Sequence, residues 1–318
     1  MKSVFLDFAT VSNGDLDPSA LHSAAPNLQC FSVSTENEIA ARMQGAAIVL
    51  TNKLPMTRER MRSASELRLI ALAATGTNNV DLIAARELGI AVCNIHDYCT
   101  PSVAQHVLGA ILALTHRFYD YGRLVSNGTW SRGAQFTMLD FPVRELAGRQ
   151  LGVVGYGALG RAVAHVAATA LGMQVIVANR LGGDTLPGRY DLPELLARAD
   201  VLTLHCPLSS ATAGMISRPE LALMKRDALI INTARGGLID SAALADALRA
   251  GQLGGAAIDV LPQEPPIDGS PLFAPDLPNL LLTPHTAWSA RESRQRCIDA
   301  MAANIADFLD GGRRGRVV

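Results

Sequence analysis

The 318-residue sequence predicts an α/β protein of two doubly wound units, each a parallel sheet with helices on both faces, and a cleft between them. Three observations predict it. Short apolar runs alternate with helical stretches almost without break. Turn residues such as Asn13-Gly14, Gly45, Gly76 and Gly89 fall at the joints. The 49% hydrophobic content is mostly aliphatic, with aromatics at only 5%, which suits helices packed on parallel strands.

Strands are expected at Val4–Leu6, Ala47–Leu50, Leu69–Ala73 and Ile90–Cys93, with helices at Glu36–Met43, Thr57–Ala64 and Val80–Leu88 between them. A long amphipathic helix follows over Pro101–His116, where Pro101 fits a first turn and Thr100 can cap it. The stretch 120–148 is polar and turn-rich without clear periodicity. A structureless segment of that length inside a compact domain is unusual, so it reads as an arm, packed on another subunit. A second series then gives strands at Leu151–Gly155, Gln174–Ala178, Val201–His205, Leu229–Asn232, Ala256–Val260 and Leu280–Thr283. Helices at Leu159–Leu171, Leu192–Arg198, Pro219–Met224 and Ser241–Ala250 alternate with them. Pro262–Pro278 is a Pro-rich loop, and Ala290–Leu309 is one long helix. The cleft of such a pair is the expected binding site.

Composition excludes several classes. A net charge of -1, with acids and bases interspersed, attracts neither nucleic acid nor anionic lipid. The five scattered cysteines form no CxxC pair and read as reduced thiols, and no HxxxH or HExxH spacing suggests a metal. The N-terminus turns polar at Asp7 without the apolar region of a signal peptide. Val103–Leu114 is too short, and too interrupted by Gln105 and His106, to span a bilayer. A soluble, cytoplasmic protein is expected.

Leu151 to Gly160 is an apolar strand running through Gly155-Tyr156-Gly157-Ala158-Leu159-Gly160 into a helix. In such a G-x-G-x-x-G turn, Gly155 permits the tight bend and Gly157 the approach of a pyrophosphate. Gly160 permits close helix–strand packing. The helix N-terminus offers unpaired N–H groups and partial positive charge. The strand before and helix after mark a Rossmann-like dinucleotide site. The next strand ends Val177-Ala178-Asn179-Arg180. No carboxylate stands there to bond the ribose hydroxyls and repel a 2′-phosphate, while Asn179 can meet a sugar oxygen and Arg180 can pair with phosphate. NADP(H) is favoured, with NAD(H) possible; a solvent-facing Arg180 is the plain alternative.

Removing hydride from C2 of a hydroxy acid needs a cation for the carboxylate and a base for the hydroxyl proton. Arg235, Glu264 and His285 stand beyond the strands ending at Asn232, Val260 and Thr283, where open α/β sheets place ligands. Singly they read equally as a surface arginine, a loop glutamate and a structural histidine. His205, without a partner at metal spacing, reads as a core histidine. Lys53 could meet a substrate's distal group or simply be solvated, and Trp288 could close a substrate pocket or pack under the last helix.

In this order, with Asn232–Gly237, Gly255–Val260, Glu264-Pro265 and Thr283-Pro284-His285, the chain resembles the D-isomer-specific 2-hydroxyacid dehydrogenase family over nearly its whole length. Thr51–Pro55, Ala73–Asn78 and His285–Trp288 resemble its glycerate dehydrogenase, or hydroxypyruvate (glyoxylate) reductase, branch. The resemblance implies a homodimeric oxidoreductase reducing a small 2-keto acid, hydroxypyruvate or glyoxylate, to the D-2-hydroxy acid. Bulkier 2-keto acids, or a corepressor-like dinucleotide-sensing module, are the alternatives. It implies that Arg235 binds the carboxylate, His285 is the acid–base group, and Glu264 fixes its tautomer and stabilises the imidazolium. It further implies that Thr75 and Gly76 complete the carboxylate site, that Asp259 contacts the nicotinamide end, and that Cys206, Pro207, Thr233 and Ala234 line the cofactor cleft. By the same resemblance residues 1–99 plus 285–318 form the substrate-binding domain, and 100–284 the dinucleotide domain with its dimerisation arm at 120–148. The sequence departs from the family's pattern at Asn179-Arg180 and at Gln105-His106, where a Glu-His pair is common.

Overall fold

The structure, a computed structural model, describes residues 1–183 and 185–318. It divides into two compact units: residues 1–99 with 288–318, and residues 100–287.

In the first unit β1 (Lys2–Phe5), α1 (Ser19–Ala24), β2 (Leu28–Cys30), α2 (Glu36–Met43), β3 (Ala46–Thr51), α3 (Arg58–Ser63), β4 (Leu69–Leu72), α4 (Leu82–Glu87) and β5 (Ala91–Cys93) follow one another. The second contains α5 (Thr100–Thr115), α6 (Phe118–Ser126), β6 (Gln150–Val154), α7 (Ala158–Leu171), β7 (Gln174–Val177), α8 (Leu192–Arg198), β8 (Val201–Leu204), α9 (Arg218–Leu223), β9 (Leu229–Asn232), α10 (Ser241–Arg249), β10 (Gly255–Ile258) and β11 (Leu280–Leu282). The chain then returns to the first unit as α11 (Arg291–Leu309).

The first sheet is ordered β2-β1-β3-β4-β5 and the second β11-β10-β9-β8-β6-β7, with neighbours parallel throughout. Strands β3, β4, β5, β8, β9 and β10 are buried on both faces, which explains their continuous apolar runs. Alternate residues of the first sheet serve opposite cores. Phe5, Ile48, Leu50 and Leu69 pack with Leu21 of α1 and Ile298, Met301 and Ile305 of α11. Val4, Leu6, Val49 and Ile70 pack with Ile39, Met43 and Met61. In the second unit Leu202, Leu204, Ile230 and Ile258 meet Leu195, Leu221, Leu244 and Leu248 from α8, α9 and α10.

Three elements escape the sequence expectations. In α1 only Leu21 is buried, and in β2 only Leu28, so neither carries a readable period. The expected arm contains most of α6, none of whose residues is buried. Arg117, at φ 56°, breaks the chain between α5 and α6. The return to the first unit falls after Ala287 rather than at 285, because Asp259 holds the backbone of Thr286 and Ala287.

Candidate active site

Because every strand runs the same way, each sheet gathers its C-terminal ends on one rim. In the second unit that rim carries the glycine turn. Gly155 has φ 91°, and a Cβ on Gly160 would lie 2.1 Å from the Gly155 carbonyl oxygen, so neither position admits a side chain. A Cβ on Gly157 would meet nothing within 4 Å. The space before the N-terminus of α7, which Ala158 and Leu159 open, can thus take a pyrophosphate against free N–H groups. Tyr156 is half-buried, with the Arg189 guanidinium 5.4 Å from its ring centroid.

At the end of β7 the geometry departs from expectation. Asn179 turns to its own loop, its Nδ2–H donating to Asp191 Oδ1 at 2.9 Å and its Oδ1 accepting from the Leu186 N–H at 3.0 Å. Its amide therefore closes the loop rather than being free for a sugar. Arg180 is exposed, its stem lying over Gly183. Arg189, which sequence reasoning missed, donates to Ala178 O at 3.2 Å. A cation nine residues beyond Arg180 carries no signal in the sequence.

His205 follows β8. Burial pushes its pKa down to about 4, so the ring is neutral near pH 7. Nε2 lies 2.9 Å from Thr203 Oγ1, but Nδ1 is buried without a partner among the described residues, as is Thr233 Oγ1. The core histidine is thus only half satisfied. Burial also raises the pKa of the Cys206 thiol, which contacts Met215 Sδ at 3.8 Å. Pro207 is exposed, and Ala234 packs partly against the core.

Beyond β9, β10 and β11, three adjacent strands, stand Arg235, Glu264 and His285. Arg235 is half-buried, and its Nη1 donates to Ala234 O at 2.7 Å. A Cβ on Gly236 would lie 2.0 Å from the Leu261 carbonyl carbon, so only glycine lets the turn bearing Arg235 press against the loop bearing Glu264. The Leu261 N–H donates to Glu264 Oε1 at 2.8 Å, and Glu264 Oε2 lies 2.6 Å from His285 Nδ1. One ring nitrogen is thereby committed, leaving Nε2 for chemistry. His285 sits at φ 56°, its N–H donating to Asp259 O at 2.8 Å. A left-handed histidine persists only where its surroundings impose it.

Asp259 imposes it. The residue is 3% exposed, and its carboxylate accepts from Thr283 Oγ1 at 2.5 Å, the Thr286 N–H at 2.8 Å and the Ala287 N–H at 3.0 Å. Its oxygens face the loop of His285. His106 Nε2 lies 3.4 Å from Thr283 Oγ1.

The first unit carries the remaining expected residues on its own rim. Asp7, 4% exposed, accepts from the N–H groups of Asn52 at 2.9 Å and Lys53 at 2.8 Å, leaving Lys53 exposed at the tip. Asn79 donates to Leu54 O at 3.1 Å and joins that loop to the one carrying Thr75 and Gly76. Trp288 packs edge-on to Tyr98, ring centroids 6.1 Å apart, beside the α11 core. Among the described residues no group of three or more His, Cys, Asp or Glu could hold a metal, and no helix is long and apolar enough to cross a membrane.

Comparison with known proteins matches residues 108–287 to the model of the D-isomer specific 2-hydroxyacid dehydrogenase NAD-binding domain. The chain is 45% identical over 277 residues to a glycerate dehydrogenase of Methylorubrum extorquens, covering 87% of each. It is 36% identical to a hydroxypyruvate reductase of Blautia hydrogenotrophica, covering 98% of each. A solved structure from Thermus thermophilus superposes with a TM-score of 0.87 at 34% identity, covering both chains fully. The rim geometry and these likenesses agree, and the chain belongs to the D-isomer specific 2-hydroxyacid dehydrogenases, in their glycerate dehydrogenase and hydroxypyruvate reductase branch.

Proposed function

We propose that the protein reduces a small 2-keto acid, hydroxypyruvate or glyoxylate, to the D-2-hydroxy acid, with NADP(H) preferred to NAD(H). The observation that carries it is the 2.6 Å contact of His285 Nδ1 with a glutamate clamped by a backbone N–H, on the rim that also bears Arg235. The names of two relatives, glycerate dehydrogenase and hydroxypyruvate reductase, supply the substrate class.

A nicotinamide dinucleotide, held at the Gly155–Gly160 turn, would supply the hydride. Arg235 holds the substrate carboxylate by its planar fork and polarises the keto oxygen. His285, protonated and steadied by Glu264, gives its Nε2 proton to that oxygen as negative charge develops; in oxidation it takes the proton back. Thr75 and Gly76, on the rim of the first unit, are read as donors of backbone N–H groups to a carboxylate. The preference for NADP(H) rests on the exposed Arg180, joined by Arg189, and on Asn179 where a repelling acid would stand. Five unpaired cysteines fit a reducing, cytoplasmic setting. The 120–148 arm, with Phe136 and Leu139 almost fully exposed, is read as the dimerisation surface.

Initial rates with glyoxylate, hydroxypyruvate, pyruvate and phenylpyruvate, each with NADPH and NADH, test the reading. NADPH oxidation dependent on one of the first two acids is expected. A chain that binds NADPH yet oxidises it with none of the four acids is not this reductase. Arg180→Ala should raise the KM for NADPH about tenfold while barely moving that for NADH.

A further inference from the structure

Asn94 follows β5 and is 5% exposed, so its polar groups need partners within the protein. Its Nδ2–H donates to Thr75 O at 2.7 Å, and its backbone N–H donates to Gly315 O at 2.9 Å. Its own carbonyl accepts from Nδ2 of Asn304, a 4%-exposed residue of α11, at 2.9 Å. Thr75 is held a second time, its Oγ1 donating to Ile95 O at 2.7 Å. One buried amide thus joins the loop after β4, the C-terminal segment and the last helix.

The consequence follows from peptide geometry. Thr75 O and the Gly76 N–H belong to one planar trans peptide unit, in which C=O and N–H point in opposite directions. Drawing the oxygen down onto Asn94 aims the Gly76 N–H away from it, out of the buried knot. We propose that Asn94 is a positioning residue for the amide that receives the substrate carboxylate, and that the segment around Gly315 sets Asn94 in turn. This rests on the reading of the chain as a 2-keto acid reductase. Only glycine serves at position 315: its φ is +62°, and a Cβ there would lie 2.5 Å from Asn94 O and 2.6 Å from Asn304 Nδ2. The segment is pinned further by the Val317 N–H, which donates to Val92 O at 2.8 Å.

The experiment uses the full chain and three variants. Asn94→Ala removes the donor, Asn94→Asp exchanges it for an oxygen of the same shape, and Gly315→Ala pushes on Asn94 without touching Thr75. Each is checked for folding by its melting temperature. In Asn94→Ala and Asn94→Asp the KM for the keto acid is expected to rise about tenfold, with kcat and the KM for NADPH within about twofold, the signature of lost ground-state binding. Gly315→Ala should move the same constant in the same direction. The calorimetric Kd for oxamate, a non-reducible 2-keto acid mimic, should weaken in parallel in the presence of NADPH. Folded variants that keep the wild-type KM and oxamate affinity overturn the inference. So does a joint rise in the keto-acid and NADPH constants, which marks a merely structural residue. A wild-type chain inactive with every acid and blind to oxamate overturns the underlying reading instead.

Discussion

A buried aspartate organises one rim loop in each unit. Asp7 collects the N–H groups of Asn52 and Lys53, and Asp259 those of Thr286 and Ala287. A carboxylate out of water must be met by such donors, and in meeting it they fix the backbone around the functional side chain. The candidate reacting groups were legible in the sequence, since Arg235, Glu264 and His285 each follow closely on an apolar run. Their anchors were not, because Asp7 and Asp259 act on backbone 45 and 27 residues away, and no local pattern records such a bond. Two predictions belong at this scale. Glu264→Gln weakens the contact that commits His285 Nδ1 and orients the ring, so kcat for keto-acid reduction should fall about tenfold or more with cofactor affinity kept; an unchanged kcat would refute the pairing. Arg235→Ala should raise the KM for the keto acid steeply and also lower kcat, together costing about a hundredfold or more in kcat/KM, while cofactor affinity measured by fluorescence titration stays close to wild type.

Elements were legible where an apolar run or a helical period marks them. Every strand from β3 onward is an apolar run, and α11 extends 19 residues, whereas α1, β2 and α6 contribute at most one buried residue each. Their positions are set by neighbours rather than by their own periodicity. The start of the second sheet also depends on a polar knot that no hydrophobic pattern announces. Asp200 accepts from the Gln150 N–H at 2.7 Å and Lys225 Nζ at 2.9 Å, with Arg149 at 3.4 Å. Burial pushes its carboxyl upward, but these donors outweigh it and hold the pKa below the usual carboxylate range. A depressed folded-state pKa contributes stability above the unfolded value and loses it as pH falls through the folded one. Asp200→Asn should therefore destabilise the protein by about 1–3 kcal/mol at neutral pH. Its melting temperature should approach that of wild type below about pH 4; a gap independent of pH would argue that the charge is irrelevant.

At the scale of the whole molecule, two parallel sheets with their helices follow from the alternating pattern, and the unassigned stretch at 120–148 follows from its lack of one. In that stretch Phe136 and Leu139 are 89% and 87% exposed, and Phe118 and Tyr119 just before it are 59% and 68% exposed, more apolar surface than an unpartnered excursion ordinarily shows. If the arm joins two copies, light scattering should give a particle of twice 33.7 kDa, and Phe136→Asp should shift it towards the single chain at micromolar concentration. A wild-type mass of one chain would remove the arm from that role.

The return of α11 to the first unit has a bearing on how the molecule comes to be. Cys297, Ile298, Met301, Ala302 and Ile305 of α11 complete a core whose other buried members, Phe5, Ile48, Leu50 and Leu69 among them, precede residue 100. On the ribosome the amino-terminal sheet must therefore wait, one greasy side bare, while residues 100–287 are synthesised, and the middle of the polypeptide can finish folding before its beginning does.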